Sequence, residues 1–245
     1  MSEPLLSLEA VSKSYLRGRH EVRVLHDATL RLYEGEVLSV LGRRGAGKTT
    51  LLKLAAGLEA PDRGSIRLAG EDLTALSDAA LSRLLGEQVG WVQSEGPRSR
   101  VHALDYVALP LLMSVSDREA YGRAEAALAR VGVAECARQG WETLSDSERG
   151  LVGIAHAIAR APKLLLVDDV STILGIRDTD ALARLLRTLA KESRMSVLMT
   201  VSESSAALRS NRTMSLAGGR LSGPPDPGER RDGDVIDLSS RERLG

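Results

Sequence analysis

Apolar and polar residues alternate in several short segments of the N-terminal part of the chain. The alternation is found at 6–11, 22–25, 29–33 and 64–69, and Gly70 follows the last of these segments. Such alternation is typical of a strand that buries one face, and glycine marks the turns between strands. The pattern therefore predicts an antiparallel sheet in this part of the chain.

Two continuous apolar runs lie further along, at 164–167 and 197–201. Between them, leucines recur at intervals of three and four residues, at Leu182, Leu185, Leu186 and Leu189. That spacing places the leucines on one face of a helix, whereas an unbroken apolar run fits a strand that is buried on both sides. The three segments together predict a βαβ unit in a parallel sheet.

Helical spacing also dominates the region from about 115 to 160. Its clearest case is one apolar face made by Leu151, Ile154, Ala155 and Ile158. We expect a helical subdomain at about 95–160 within a domain that covers residues 1–221.

The last part of the chain has a different composition. From Ser222 onward, proline, glycine and alternating charges replace the apolar patterns. Such a segment cannot bury enough apolar surface to offset the entropy lost on ordering. We therefore expect residues 222–245 to form a disordered tail.

The composition narrows the classes of function. Lysine plus arginine and aspartate plus glutamate number 33 each, and aromatic residues make up 2% of the chain. The chain therefore has neither a net positive field nor a stacking platform for bases, and we expect no nucleic-acid partner. Cys136 is the only cysteine, which excludes an internal disulfide and a cysteine-based zinc site.

Membrane insertion is not predicted either. The longest segment of membrane-like composition, 107–113, is interrupted by Pro110 and is far shorter than the roughly 20 residues that span a bilayer. The first residues lack the basic and apolar regions of a signal peptide. Any membrane role would therefore come through a partner.

The strongest chemical signal is the motif G-x-x-x-x-G-K-[ST] at residues 42–49. An apolar run at 37–41 precedes it and a helix-forming run at 51–56 follows it, which is the context of a phosphate-binding P-loop. The loop N–H groups and the helix N-terminus hold a triphosphate, while Lys48 neutralises its β/γ oxygens and Thr49 holds Mg²⁺. The motif predicts binding of ATP or GTP. The predicted nucleotide ligands in this segment are Gly42, Arg43, Arg44, Gly45, Ala46, Gly47, Lys48, Thr49 and Thr50.

Taken in order, these segments resemble the ATP-binding subunit of ABC transporters over about residues 5–221. Tyr15 lies where that family stacks an aromatic ring on adenine, and Asp168 matches the acidic residue that follows the Walker B strand and holds Mg²⁺. Lys48 and Asp168 are far enough apart for an inserted helical subdomain. The resemblance implies ATP and Mg²⁺ as cofactors. It also implies an α/β fold, in which a P-loop NTPase core with a parallel sheet carries an antiparallel β subdomain and the helical insert.

One branch of the family is especially similar. Residues 105–112 resemble a stretch of the lipoprotein-releasing and macrolide-exporting branch. Counting back from Pro110 places Gln93 at the family's Q-loop glutamine, which reaches Mg²⁺ and the attacking water, whereas counting forward from Gly90 places Ser94 there. We assign Gln93 a catalytic and metal-binding role by this resemblance.

The segment that corresponds to the family signature departs from its pattern. Residues 144–148 read Leu-Ser-Asp-Ser-Glu where the family has two glycines after the serine. Ser145 keeps a hydroxyl that can contact phosphate, but Asp146 brings a carboxylate toward a polyanion. Ser145 and Glu148 also fit a capping box at a helix N-terminus, so both interpretations stay open.

Three further positions of the catalytic half depart from the family pattern. Asp169 stands where the family has the glutamate that polarises water, so its carboxylate is one methylene shorter. Ser202 stands in place of the switch histidine and offers a hydroxyl without a positive charge, and Gly175 replaces the D-loop aspartate. The predicted catalytic residues are therefore Asp169, Gln93 and Ser202, with metal ligation by Thr49, Gln93 and Asp168.

Three hypotheses follow. The leading one is a cytoplasmic ATP-binding subunit, peripheral on the inner face of the membrane, that pairs with a membrane permease and hydrolyses ATP slowly or not at all. It would act as a homodimer or as a heterodimer with another such subunit. The alternatives are a fully active transport ATPase and a soluble regulatory or scaffold module that uses ATP without transport.

Overall fold

A computed structural model describes residues 3–92, 96–97, 100–169, 179–202, 210–224 and 226. The described strands are β1 Leu6–Arg17, β2 His20–Leu32, β3 Val37–Leu41, β4 Arg63–Leu68, β5 Glu71–Asp72, β6 Val89–Val92, β7 Leu164–Val167, β8 Ser196–Val201, β9 Arg212–Ala217 and β10 Arg220–Ser222. The described α-helices are α1 Lys48–Ala55, α2 Asp78–Gln88, α3 Ala103–Ala108, α4 Asp117–Arg130, α5 Asp146–Ile158 and α6 Thr179–Ser193.

The N-terminal strands form an antiparallel sheet, as the alternation predicts. Its order is β2-β1-β4-β5. One detail differs from the prediction, because the alternating segments 22–25 and 29–33 belong to one long strand, β2. Asp27 interrupts the alternation with a φ of +45°, and the register against β1 shifts there, which is the signature of a β-bulge.

The second sheet has the order β10-β9-β3-β8-β7-β6. All neighbouring pairs are parallel except β9 and β10. The predicted βαβ unit is confirmed as β7, α6 and β8. Because parallel strands end at the same edge, the residues that follow β3, β7 and β8 are brought close to one another.

Apolar side chains cover both faces of this sheet. Leu164 and Leu166 belong to the core that holds α1 and the antiparallel sheet, whereas Leu165 and Val167 belong to the core that holds the helical subdomain. The leucines of α6 pack into the second core as their spacing predicts. Successive residues of β7 therefore face the two cores in turn, and the residues that follow the strand start from this alternation.

Helices α3, α4 and α5 pack against one another within residues 95–160, where the sequence predicts a helical subdomain, and the division into subdomains stays a prediction. His156 on α5 is stacked on Tyr106 with ring centroids 4.3 Å apart and with Nδ1 2.8 Å from the Tyr106 carbonyl oxygen. Burial lowers the pKa of His156, and the stacked ring identifies this histidine as a packing residue. In the part of the chain that the structure describes, we find no helix long and apolar enough to cross a bilayer.

The start of the predicted tail is attached to the domain. β10 includes Ser222, one residue beyond the predicted boundary, and Asp226 accepts a hydrogen bond of 2.6 Å from the Tyr33 hydroxyl. Arg31 lies 3.5 Å from the same carboxylate. Burial and the Asp226 hydrogen bond raise the pKa of Tyr33 to about 12. Residues 227–245 lie outside the described residues, so disorder there stays a prediction.

Candidate phosphate-binding site

The P-loop leaves the carboxyl end of β3 and enters α1, as predicted. Gly45 and Gly47 have φ values of +80° and +104°, which residues with a side chain rarely adopt. At Gly42 a Cβ atom would lie 2.9 Å from the Leu216 carbonyl oxygen and 3.2 Å from the Ala46 Cβ. Backbone geometry therefore accounts for all three glycines of the loop.

The N-terminus of α1 is suited to an anion. Gly47 is the N-cap and provides no side-chain cap, and the first turn has no acidic residue. The first N–H groups of a helix have no partner within the helix and form the positive end of its dipole. Arg43 and Arg44 are exposed beside this turn and line an open cleft of about 880 Å³ together with Arg17 and Arg23. The loop therefore combines an uncapped helix N-terminus with a positively charged rim.

The Lys48 side chain folds back onto the P-loop. Its side chain is buried, and Nζ donates hydrogen bonds to the carbonyl oxygens of Gly42, at 2.7 Å, and Arg43, at 3.3 Å. A third bond of 3.0 Å reaches the Ser202 hydroxyl at the end of β8. The ammonium group is thus held inside the loop, where it would neutralise phosphate oxygens.

Thr49, the residue after Lys48, is hydrogen-bonded to Asp168. The Thr49 hydroxyl donates a hydrogen bond of 2.7 Å to Oδ2 of Asp168, which directly follows β7. A hydroxyl and a carboxylate at this separation fit Mg²⁺, because that ion takes one or two protein oxygens and completes its octahedron with phosphates and water. Within the described ranges no cluster of three or more histidine, cysteine, aspartate or glutamate side chains is gathered for a metal.

Asp169 and Ser202, both predicted catalytic residues, are in contact. The Ser202 hydroxyl donates a hydrogen bond of 2.7 Å to Oδ2 of Asp169 and accepts the bond from Lys48. Ser202 therefore connects the P-loop lysine to the carboxylate. Asp169 has a φ of +46°, a conformation that aspartate tolerates better than most residues with a side chain.

Sequence reasoning missed Thr200. Its hydroxyl donates a hydrogen bond of 2.8 Å to Oδ1 of Asp168 and accepts one of 2.8 Å from the backbone N–H of Asp169. The available signal was a hydroxyl residue in the otherwise apolar run at 197–201, two positions before Ser202. Without the pairing of β7 with β8, that hydroxyl could not be assigned a partner.

Tyr15 lies at the end of β1 near the first turn of α1. Its hydroxyl is hydrogen-bonded to the Glu59 carboxylate and lies 3.5 Å from the Thr50 hydroxyl. The Lys13 ammonium stands 5.7 Å from the ring centroid. Burial, and then the bond to Glu59, raise the pKa of Tyr15. Adenine stacking on this ring stays a prediction.

Ser145 is the N-cap of α5. Its hydroxyl accepts the Glu148 N–H at 3.3 Å, and the Glu148 carboxylate accepts the Ser145 N–H at 2.7 Å, so the predicted capping box is confirmed. Hydrogen bonds from Ser145 and then from the Cys136 thiol lower the pKa of Glu148. The neighbouring Asp146 is paired with Arg149 at 3.3 Å. Phosphate contact by Ser145 remains a prediction.

Replacing Ser145 with alanine is expected to lower the melting temperature by roughly 2–4 °C, because the cap bond and its return bond are lost together. The Ser147→Ala variant is the matched control, since Ser147 lies inside the helix, where alanine is the better helix former. Thermal unfolding measured by circular dichroism checks the prediction. Equal melting of the two variants would show that the capping box contributes nothing measurable.

Gln93, its alternative Ser94, and Gly175 lie outside the described residues. The roles given to them stay predictions.

The chain matches the family described as ABC transporter over residues 25–172. It is 36% identical over 219 residues to the lipoprotein-releasing system ATP-binding protein LolD of Pseudomonas syringae pv. tomato, covering 89% of this chain and 96% of that protein. The protein of the same name from Ruegeria pomeroyi is 36% identical over 225 residues, covering 91% of this chain and 99% of that protein.

A solved structure shows the same fold. It is described as the dimeric structure of a post-hydrolysis state of the ATP-binding cassette MJ0796 bound to ADP and Pi. Its TM-score against this chain is 0.81 at 25% identity, and the match covers 90% of this chain and 99% of that chain.

Proposed function

Because this chain belongs to the ABC transporter family, as an ATP-binding subunit, we propose that it binds Mg-ATP in its P-loop and couples that binding to a separate membrane permease. The observation that carries the proposal is the convergence of Lys48, Thr49 and Asp168 at one sheet edge. Together they offer an ammonium group for the phosphates and two oxygens for the ion. When bound, Mg²⁺ would offset the negative charge of the β- and γ-phosphates.

Hydrolysis by this chain is proposed to be slow. The candidate base, Asp169, has a shorter side chain than glutamate, and Oδ2 is already engaged by the Ser202 hydroxyl. A base displaced by about 1 Å loses on the order of a hundredfold in rate. Ser202 also brings no positive charge to the γ-phosphate.

A second subunit is part of the proposal. In the family, the signature segment of one subunit faces the P-loop of the other, and here that segment is residues 144–148, in which Ser145 and Asp146 are exposed. Asp146 would place a carboxylate near the triphosphate of the partner subunit, which weakens closure of the dimer. Either a second copy or another ATP-binding subunit would complete the site.

The permease partner and the location follow from the same family. The relatives named above are components of a lipoprotein-releasing system, and for this chain we propose peripheral association with the inner face of a membrane through a permease.

The direct test is equilibrium binding of Mg-ATP to the purified chain, followed by steady-state release of phosphate. We expect saturable binding together with turnover well below the typical enzyme range of roughly 1–1,000 per second. Rapid turnover would favour the fully active ATPase over the slow one. Absence of binding at millimolar Mg-ATP would contradict the proposed function altogether.

A further inference from the structure

Thr200 occupies an unusual position in the sheet. It is completely buried in β8, on the same face as Leu198, which belongs to the core that holds α1. The parallel register pairs Met199 with Val167, so Thr200 lies beside Asp168, the next residue after β7. The strand order and the alternation of side chains therefore bring this hydroxyl to the carboxyl end of β7.

Both hydrogen-bonding functions of the Thr200 hydroxyl are used within the site. The hydroxyl donates to Oδ1 of Asp168 and accepts from the N–H of Asp169, each at 2.8 Å. A hydroxyl buried without partners costs free energy, and a buried threonine commonly satisfies it on nearby backbone carbonyls. Here the hydroxyl bonds instead to two consecutive acidic residues of the neighbouring strand end.

The bond to Oδ1 has a consequence for the metal position. It fixes the rotation of the Asp168 carboxylate, so that the other oxygen, Oδ2, is directed at the Thr49 hydroxyl. The bond to the Asp169 N–H holds the peptide between the two aspartates, just before the left-handed conformation at Asp169. One hydroxyl thus orients both acidic residues.

Thr200 also closes a ring of hydrogen bonds. The ring runs from Thr49 to Asp168, Thr200, Asp169, Ser202 and Lys48, and Lys48 and Thr49 are adjacent in the chain. Each bond in the ring measures 3.0 Å or less. Within this ring, Thr200 links Asp168, the predicted metal ligand, to Asp169, the predicted base.

We propose that Thr200 is a positioning residue that orients Asp168 for the metal ion and Asp169 for water, an inference that rests on the proposed function. It is completely buried and acts through its bonds to the two aspartates. Outer partners of metal-binding carboxylates typically account for 10–100-fold in metal affinity or activity. Thr200 therefore controls how tightly the site takes Mg²⁺, and not how it takes the nucleotide alone.

The test compares Thr200→Val with Thr200→Ser in the full-length chain. Valine keeps the branched shape without the hydroxyl, whereas serine keeps the hydroxyl without the methyl group. ATP binding is measured first in EDTA and then during a titration with Mg²⁺. For Thr200→Val we expect the Mg²⁺ concentration at half effect to rise at least about tenfold, with ATP binding in EDTA unchanged. Thr200→Ser should recover most of the Mg²⁺ affinity.

Ser39→Ala provides the matched control. Ser39 is equally buried, on the adjacent strand β3, and its hydroxyl has no hydrogen-bond partner among the described residues. Its loss removes a buried hydroxyl without breaking a bond, so the Mg²⁺ titration should match that of the wild type. If Thr200→Val does not fold, Thr200→Ala and Thr200→Ser are compared instead, because this pair isolates the hydroxyl in the same way.

Two results overturn the proposal. One is an unchanged Mg²⁺ titration in the folded variants that lack the hydroxyl. The other is an equal loss of ATP binding in EDTA and in Mg²⁺, which would show a general structural defect. A wild-type chain that binds no ATP in either condition refutes the proposed function itself, and the positioning role with it.

Discussion

Replacing Lys48 with alanine is expected to abolish the stabilisation of the chain by Mg-ATP. Nζ of Lys48 is held by the Gly42 and Arg43 carbonyl oxygens in the P-loop, so its charge lies where we propose that the phosphates bind. Two unit charges about 4 Å apart interact by about 4 kcal/mol at an effective dielectric constant of 20, which corresponds to about a thousandfold in affinity. No other described side chain of the loop offers a buried positive charge.

A thermal-shift titration measures this loss. At an ATP concentration of about 100 times the dissociation constant, binding stabilises the wild type by about 2.7 kcal/mol, or roughly 5–10 °C in melting temperature. The shift should vanish in Lys48→Ala. Because the substitution also removes the bond to Ser202, each variant is compared with itself in the absence of ATP.

Lys53→Ala is the matched control, since Lys53 lies on the same helix and is paired with Glu59 at 3.1 Å on the protein surface. Its shift with Mg-ATP should equal that of the wild type. A full shift in Lys48→Ala would mean that the nucleotide binds elsewhere, and the P-loop assignment would fail.

The features that the sequence predicted best depend on neighbours in the chain. The P-loop, its flanking strand and helix, and the capping box of Ser145 and Glu148 are each encoded within a few residues. Backbone conformation and local hydrogen bonds determine such features. A single sequence therefore specifies them.

Features that depend on register between distant segments escaped prediction. The single strand β2 was predicted as two segments, because the bulge at Asp27 reverses the alternation of side chains. Thr200 received no role, since its partners are set by the pairing of β8 with β7. The contact of Asp226 with Tyr33 joins residues at opposite ends of the chain and left no periodic signal.

The geometry around Asp169 bears on the proposal that this residue takes the place of a glutamate base. With a φ of +46°, the backbone at this position favours aspartate over glutamate. The longer reach of glutamate would favour catalysis, so the two preferences are opposed. The short side chain also places Oδ2 within reach of Ser202, which in turn contacts Lys48. Because Asp169 and Ser202 are hydrogen-bonded, a substitution at one of them also changes the contacts of the other. The effect of a substitution at Asp169 should therefore be measured with Ser202 unchanged.

Changing Asp169 to asparagine is expected to lower the residual turnover by on the order of a hundredfold, because a positioned general base contributes 10²–10⁴-fold. The asparagine side-chain oxygen still accepts the Ser202 hydrogen bond, so Mg-ATP affinity should stay close to that of the wild type. Asp169→Glu should raise turnover roughly tenfold or more by restoring the reach of the carboxylate, at the cost of a slightly lower melting temperature. Steady-state phosphate release, with Lys48→Ala as background, checks both. Equal turnover in the asparagine, glutamate and wild-type chains would show that the Asp169 carboxylate does not act as a base in the rate-limiting step.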